Sequence, residues 1–172
     1  RDSPPVPHTR LRAALLPAHQ PVSPPAAPVT AGLFPPTGPP GAGARLFPPF
    51  CRVTAVARPV VDSEIRLEVW LPAAESWNGK LLGTGNGGYS GALSYSEMEA
   101  ALRQGYAVAG SDTGHSGGDL KFGMGHPEQI ADWPSPARHV MTENTKEILH
   151  SQYGRLAAPA SFPARPPDPT PR

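Results

Sequence analysis

Two glycine-rich segments contain the residues best suited to chemistry, and the first is Gly85–Gly91 (GNGGYSG). It directly follows Lys80–Gly83 (KLLG), a short apolar run typical of a buried strand. Glycines let a backbone approach a ligand closely and direct its N–H groups at an anion or an oxyanion. The same cluster is also common in plain turns, and its spacing matches neither the dinucleotide-binding nor the P-loop pattern. An oxyanion-binding loop and a simple turn are therefore the two interpretations.

The second segment is Ser111–His115 (SDTGH), which follows the fully apolar run YAVAG. Such a run is typical of a parallel strand covered on both faces, and function in open α/β sheets collects at the carboxyl ends of strands. Asp112 and His115 suit an acid–base pair or, with Asp119 and His126, a metal site. Because neither a His-x-x-x-His spacing nor a cysteine partner accompanies them, we expect a hydrogen-bonding loop with no metal and no cofactor.

Two β-rich segments precede these loops. Arg52–Ala57 (RVTAVA) is followed by Glu64–Leu71 (EIRLEVWL), in which apolar and polar residues alternate. A period of two places Ile65 and its alternate neighbours on an inward face and leaves Glu68 and Trp70 on the opposite face. A turn-like segment separates the two runs, so the sequence predicts an antiparallel pair.

Two helices are predicted between and after the loops. Ser96 and Glu99 fit a capping box, and Gly105 marks the end of that helix. Ser135 and Pro136 mark the start of a second helix, which Gly154 ends. This second helix carries a histidine, His139, for which a surface or structural role is expected.

The resulting order, β-β-β-α-β-α, predicts an α/β sheet. Proline divides the chain: of 25 prolines, 14 lie in residues 1–50, 5 in 51–158 and 6 in 159–172. We therefore predict a Pro-rich disordered leader (1–28), a folded segment (29–154) and a Pro-rich tail (155–172) that adds no strand.

The overall charge and hydropathy narrow the function classes. Fifteen Lys and Arg against 14 Asp and Glu give a net charge of +1, and no basic stripe is present, so nucleic-acid binding has little support. No apolar run reaches the roughly 18–20 residues of a membrane span, so no membrane partner is expected. Leu11–Leu16 is too short for the core of a signal peptide. The single cysteine, Cys51, has no partner for an internal disulfide.

Several ordered motifs together are more specific than any one of them, and over about residues 29–154 they resemble the tannase/feruloyl esterase family. The resemblance is carried by Phe50-Cys51-Arg52-Val53, Asp62-Ser63-Glu64-Ile65, Val69-Trp70-Leu71-Pro72, Trp77-Asn78-Gly79-Lys80, Gly85-Asn86-Gly87-Gly88, Gly105-Tyr106-Ala107, Ser111-Asp112-Thr113-Gly114-His115 and His139-Val140-Met141-Thr142. It implies the first strands and two helices of an α/β-hydrolase sheet, which would be incomplete here. It also implies a serine esterase acting on small esters of aromatic acids.

The resemblance assigns roles to few residues of this chain. In α/β-hydrolases one oxyanion-hole N–H comes from the loop after the third strand, which corresponds here to Gly87 or Gly88. Asn86, Asp112 and His115 would support the site. The family's Ser-His-Asp triad has no match in the sequence: there is no G-x-S-x-G, and Ser161 lacks a glycine elbow. The chain is therefore expected to be a fragment without its nucleophile and inactive alone.

The resemblance also implies a secreted or periplasmic protein with a disulfide at the position of Cys51. No signal peptide is visible, and the abrupt Pro/Arg/Ala composition from residue 155 suggests a shifted reading frame. One alternative is a non-catalytic module that uses the Gly85–Gly91 loop and the tryptophans to bind a phenolic or glycan ligand. A weaker alternative is a Pro-rich interaction protein.

Overall fold

The computed structural model describes residues 26–29, 32–34, 45–59, 63–86, 90–117, 123–127, 130 and 136–161. Within them, a six-stranded sheet and a separate two-stranded sheet accompany two helices. The strands are β1 (Ala26–Val29), β2 (Gly32–Phe34), β3 (Arg45–Phe47), β4 (Phe50–Ala57), β5 (Ile65–Pro72), β6 (Lys80–Gly83), β7 (Ala107–Ser111) and β8 (Ala158–Ser161); the helices are α1 (Tyr95–Arg103) and α2 (Pro136–Tyr153). The large sheet has the order β1-β4-β5-β7-β6-β8, and β2 pairs with β3.

The large sheet is mixed. β1, β4, β5 and β7 pair antiparallel in turn, whereas β6 runs parallel to β7 on one side and to β8 on the other. The predicted antiparallel pair, β4 with β5, and the predicted buried parallel strand, β7, are both confirmed. Because β6, β7 and β8 run in the same direction, the loops after β6 and β7 leave the sheet at one edge.

β5 is buried on both faces, so the prediction of a single inward face is wrong. Val69 and Trp70 are neighbours that point to opposite sides of the strand, yet both are fully buried, and Glu68 is nearly so. The reason is that each face of the sheet is covered by one helix. Alternation alone does not reveal that a helix covers the second face, because Glu68 and Trp70 make that face of β5 amphipathic in sequence.

Each helix packs on its own apolar cluster. α2 contributes Met141, Ile148 and Leu149 to the cluster on one face. α1 contributes Met98 and Leu102 to the cluster on the other face. Burying such a side chain contributes about 1.5–3 kcal/mol, so these two faces hold the helices against the sheet. The strand members of the first cluster are Cys51, Val53, Ala55, Leu67, Val69, Leu71, Leu81, Ala107 and Ala109; those of the second are Phe47, Phe50, Trp70 and Val108.

The helix ends agree with the sequence only in part. α2 begins at Pro136, as predicted, and Gly154 follows its last residue with φ +69°. α1 begins two residues earlier than predicted, with Ser94 rather than Ser96 as the N-cap, and no side-chain hydrogen bond caps it. Glu99 therefore does not serve as the capping acid. Its carboxylate instead accepts hydrogen bonds from Arg103, one turn further along the helix.

A strand follows α2, so the prediction that nothing foldable comes after Gly154 is wrong. β8 pairs with β6 through Lys80 and Leu82, with an irregular register between them. Pro159 lies within β8, and proline is tolerated there because β8 is an edge strand of the described sheet. The proline-rich composition concealed this strand. The last three residues of the predicted disordered leader belong to β1, which pairs with β4, so that prediction is wrong for residues 26–28. The rest of the predicted leader and most of the predicted tail lie outside the described residues.

Neither described helix combines the length and the apolar character that a membrane crossing requires.

Candidate functional site

The loop after β6 lies along the carboxyl end of β7. The Thr84 backbone N–H and hydroxyl both donate to the Ala109 carbonyl, at 2.8 and 3.2 Å. Two residues later, the Asn86 side-chain amide donates to the Ser111 carbonyl at 3.0 Å and lies 3.5 Å from the Thr113 hydroxyl oxygen. Asn86 therefore ties the start of the glycine loop to the end of the next strand. Gly87 and Gly88, the predicted oxyanion donors, lie outside the described residues.

Asp112 fastens the loop after β7 to β5. Its Oδ1 atom accepts hydrogen bonds from the Arg66 N–H at 3.0 Å and from the Gly114 N–H at 2.9 Å. Its own N–H donates to the Arg66 carbonyl at 3.0 Å. Burial raises the pKa of this carboxyl, and the two backbone N–H groups partly oppose that rise. Because its carboxylate accepts from backbone N–H groups, Asp112 holds the loop in shape; its role in supporting a catalytic site stays a prediction.

Thr113 adopts a backbone conformation that its side chain disfavours. Its φ of +57° lies in the left-handed region, where a β-branched residue is an outlier. Its hydroxyl donates to the Asp112 carbonyl at 2.7 Å and lies 3.4 Å from His115 Nδ1. Such conformations persist only where surrounding contacts enforce them, and they cluster at functional sites. No sequence pattern pointed to Thr113, because left-handed backbone is ordinarily expected at its neighbour Gly114.

His115 is buried at the point where the two loops meet. Its N–H lies 3.4 Å from the Asp112 carbonyl oxygen, which completes a tight reversal of the chain. A second contact joins the two loops, in which the Gly91 N–H donates to the Gly117 carbonyl at 2.7 Å. The two loops are therefore joined at two places, through Asn86 at one end and through Gly91 at the other. The family resemblance groups Asn86, Asp112 and His115 as residues that support the site, and the structure places all three at the carboxyl end of β6 and β7.

The start of α1, which follows the glycine loop, is anchored by a buried carboxylate. Glu68 accepts hydrogen bonds from both Arg52 Nε, at 2.9 Å, and Arg52 Nη2. It also accepts from Trp70 Nε1 at 3.1 Å and from the Tyr95 hydroxyl at 2.9 Å. The Tyr95 ring stacks on Trp70, with the ring centroids 5.7 Å apart. Sequence reasoning missed this cluster because it placed Glu68 and Trp70 on an outward face.

The other residues singled out in the sequence lie elsewhere. His139 is exposed on α2. Trp77 is buried and stacks on Tyr153 at 4.0 Å, on the opposite face of the sheet from α1. Cys51 is buried, and that burial raises the pKa of its thiol to about 11. Trp133 and Asp119 lie outside the described residues. Over the part of the chain that is described, no three His, Cys, Asp or Glu side chains form a group suited to a metal ion.

The family model for tannase and feruloyl esterase matches residues 51–163. The chain belongs to this family. An uncharacterized esterase of Xanthomonas campestris pv. campestris is 43% identical over 136 residues, which are 78% of this chain and 23% of that protein. A probable feruloyl esterase B-2 of Aspergillus flavus is 36% identical over 104 residues, which are 60% of this chain and 20% of that protein. The chain thus spans less than a quarter of the length of these two relatives.

Solved structures of the tannase and feruloyl esterase family share the fold described above. Feruloyl esterase B from Aspergillus oryzae superposes with a TM-score of 0.72 and 27% identity, over 80% of this chain and 27% of that one. Tannin acyl hydrolase from Aspergillus niger gives a TM-score of 0.67 at 20% identity, over 90% of this chain and 31% of that one, and shows the fold alone. The predicted α/β-hydrolase class is therefore confirmed.

Proposed function

We propose that this chain is the N-terminal part of a carboxylic ester hydrolase with a serine mechanism, in which the loop after β6 supplies one oxyanion-hole donor. The observation that carries the proposal is the match to the tannase and feruloyl esterase model over residues 51–163. The geometry is consistent with it: Asn86 fixes the entry to the glycine loop at the carboxyl edge of the sheet. In α/β-hydrolases the loop after the corresponding strand contributes one N–H of the oxyanion hole.

An ester is cleaved through a tetrahedral intermediate whose carbonyl oxygen carries negative charge. A backbone N–H held toward that oxygen stabilises the charge without reorganising during the reaction. Removing one such donor typically lowers kcat by about 10²–10³. A Gly87 or Gly88 N–H would supply this stabilisation, and Asn86, Asp112 and His115 would keep the loop in place. No metal and no cofactor has a role in this mechanism.

Aromatic-acid esters are the proposed substrates. The support comes from two relatives that are named feruloyl esterases. One, from Aspergillus flavus, is 36% identical in sequence, and the other, the solved feruloyl esterase B from Aspergillus oryzae, is 27% identical in sequence. Which aromatic ester is accepted depends on residues that these relatives carry outside the matched segment, since the chain spans about a fifth of the Aspergillus flavus relative. We further propose a secreted or periplasmic location for the protein.

The 172 residues alone are proposed to be inactive. A serine esterase of this kind requires a nucleophile on a sharp, glycine-bounded turn after a strand. Ser161 is the last residue of β8, but Phe162 and Pro163 follow it where a glycine elbow would be needed. Binding contributions from the oxyanion loop cannot replace the missing nucleophile. The proline-rich stretch after β8 is proposed to be the product of a shifted reading frame.

The deciding experiment is to sequence the gene and its transcript across the codons for residues 150–172 and to translate all three frames. A Gly-Cys-Ser-x-Gly-Gly sequence in another frame, directly after the codons for β8, would support the proposal. The protein encoded by that frame should hydrolyse methyl ferulate or methyl gallate, and replacing its elbow serine by alanine should abolish turnover. If no frame encodes an elbow, or if the protein with the elbow hydrolyses neither ester, the esterase assignment is wrong.

The alternative of a phenolic- or glycan-binding module stays a prediction without a supporting observation. It depended on the Gly85–Gly91 loop and on the tryptophans, of which Trp133 lies outside the described residues. Trp70 is fully buried between Phe50 and Tyr95, and Trp77 is buried against Tyr153. Neither ring offers an open face to a ligand.

A further inference from the structure

Gly91 is the residue at which the glycine loop closes onto the loop after β7. Its N–H donates to the Gly117 carbonyl at 2.7 Å. Its α-carbon also faces His115 so closely that an added Cβ would lie 2.2 Å from the His115 carbonyl oxygen, 2.7 Å from the carbonyl carbon and 2.9 Å from Cδ2 of the ring. Contacts under 3.0 Å are essentially never seen for real Cβ atoms, so only glycine fits here without displacement.

The atoms that an added Cβ at position 91 would meet are mainly backbone atoms of His115. A flexible side chain can move aside from an added methyl group, whereas the His115 carbonyl is held by its neighbours. Asp112 accepts from the Gly114 N–H, and the Thr113 hydroxyl caps the Asp112 carbonyl. The loop after β7 is also held against the β5 backbone, through the hydrogen bonds between Asp112 and Arg66. A side chain at position 91 would displace the glycine loop rather than the loop it contacts.

We propose that Gly91 and the His115 backbone form a clamp that positions the oxyanion-hole loop. The inference rests on the proposed esterase function, and it adds positioning residues that act through the loop rather than on the substrate. Asn86 holds the loop where it leaves β6, and the Gly91 clamp holds it five residues later. Between the two lie the glycines whose N–H groups are proposed to meet the oxyanion.

The chain offers a matched control within the same loop. An added Cβ at Gly85 has no heavy atom within 4 Å, and Gly85, like Gly91, does not have a left-handed φ. Gly85→Ala and Gly91→Ala therefore make the same chemical change six positions apart, and only the second meets backbone. Any effect of lost backbone flexibility is common to both variants.

The first test uses the 172-residue chain and requires no activity. In the unmodified chain, the Gly91 amide should exchange with solvent at least about tenfold more slowly than in an unstructured peptide, because it is hydrogen-bonded to Gly117. Gly91→Ala should shift the amide resonances of Gly87 and Gly88, and Gly85→Ala should shift them less. An unprotected Gly91 amide overturns the clamp even if Gly91→Ala does not fold. Equal effects of the two alanine variants also overturn it.

The second test uses the reading frame that carries the nucleophile elbow and separates the clamp from the esterase proposal. Gly91→Ala should lower kcat for methyl ferulate by about 10²-fold with little change in KM, because misplacing a transition-state donor by about 1 Å has effects of that size. Gly85→Ala should retain most of the activity. Unchanged kcat in Gly91→Ala refutes the positioning role. If the unmodified protein hydrolyses no ester, the proposed function is refuted instead. The exchange rate of the Gly91 amide then still tests whether the clamp exists.

Discussion

Replacing Glu68 by glutamine should destabilise the fold strongly, and its neighbour Glu64 provides the matched control. The Glu68 carboxylate is buried and receives four hydrogen bonds, two from Arg52 and one each from Trp70 and Tyr95. An amide at this position removes the negative charge and turns an NH₂ group toward one of these donors. Arg52, Trp70 and Tyr95 then compete for a single acceptor.

The magnitude follows from the exposure of the two charges. Breaking a fully buried ion pair costs about 3–5 kcal/mol. The Glu68 side chain is 9% exposed, but that of Arg52 is 31% exposed, so water partly solvates the guanidinium that is left. We therefore expect a loss of about 2–3 kcal/mol in the free energy of unfolding. Glu64 pairs with Arg58 and Arg66 at the surface, and Glu64→Gln should cost less than about 1 kcal/mol.

Urea denaturation followed by tryptophan fluorescence measures both variants, since Trp70 lies against the altered group. The expected result is a lower midpoint for Glu68→Gln at an unchanged slope, and a midpoint close to that of the unmodified chain for Glu64→Gln. Equal midpoints for the two variants would refute the reasoning, because they would show that the buried carboxylate is worth no more than the exposed one.

Two further predictions concern buried titratable groups. Burial raises the pKa of Asp112 above its ordinary value of 3.8, so the folded state binds this proton more tightly than the unfolded state, and the contribution of Asp112 to stability falls as pH rises from 3.8 through the raised pKa. Asp112→Asn keeps an oxygen that can accept from the Arg66 and Gly114 N–H groups, so this variant should be at least as stable as the unmodified chain at pH 7 and lose that advantage in acid. A marked loss of thermal stability at pH 7 would contradict the predicted direction of the effect. Cys51, with a thiol pKa near 11, should resist a disulfide reagent at pH 8 until urea is added, and rapid labelling of the native chain would contradict its burial.

The sequence predicted strands β4 to β7 and helix α2 well because their signals are local. Alternation in β5, the apolar run of β7 and the Ser-Pro start of α2 each reflect a short-range rule. The same rules failed where tertiary contacts decide. The sequence suggests an exposed Trp70 because the helix that covers it, α1, lies about 30 residues further along the chain. β8 was missed because its proline, Pro159, violates the strand pattern, and only an edge position relaxes that rule.

The candidate site shows the same division. Asn86, Asp112 and His115 could be brought to one edge because the order of strands and loops determines which loops meet there. Their hydrogen bonds could not be predicted, since they are made to backbone atoms of distant residues such as Arg66 and Ser111. The left-handed backbone of Thr113 and the close approach of Gly91 to His115 have no sequence signal except the high glycine content of the two loops. Those features depend on how the two loops pack together, and the sequence of either loop alone does not determine that packing.

The order of the strands also governs when the site can form as the chain folds. β4 and β5 are separated by only seven residues in the chain, so their pairing needs only contacts close in sequence and can form early. Within the described sheet, β6 is not hydrogen-bonded to β5. It joins the sheet through β7, which lies between the two, and β8 then pairs with the outer side of β6. On a ribosome, β6 and the glycine loop behind it must wait until residues beyond 111 have emerged. The proposed oxyanion loop is therefore among the last parts of this unit to gain a fixed place.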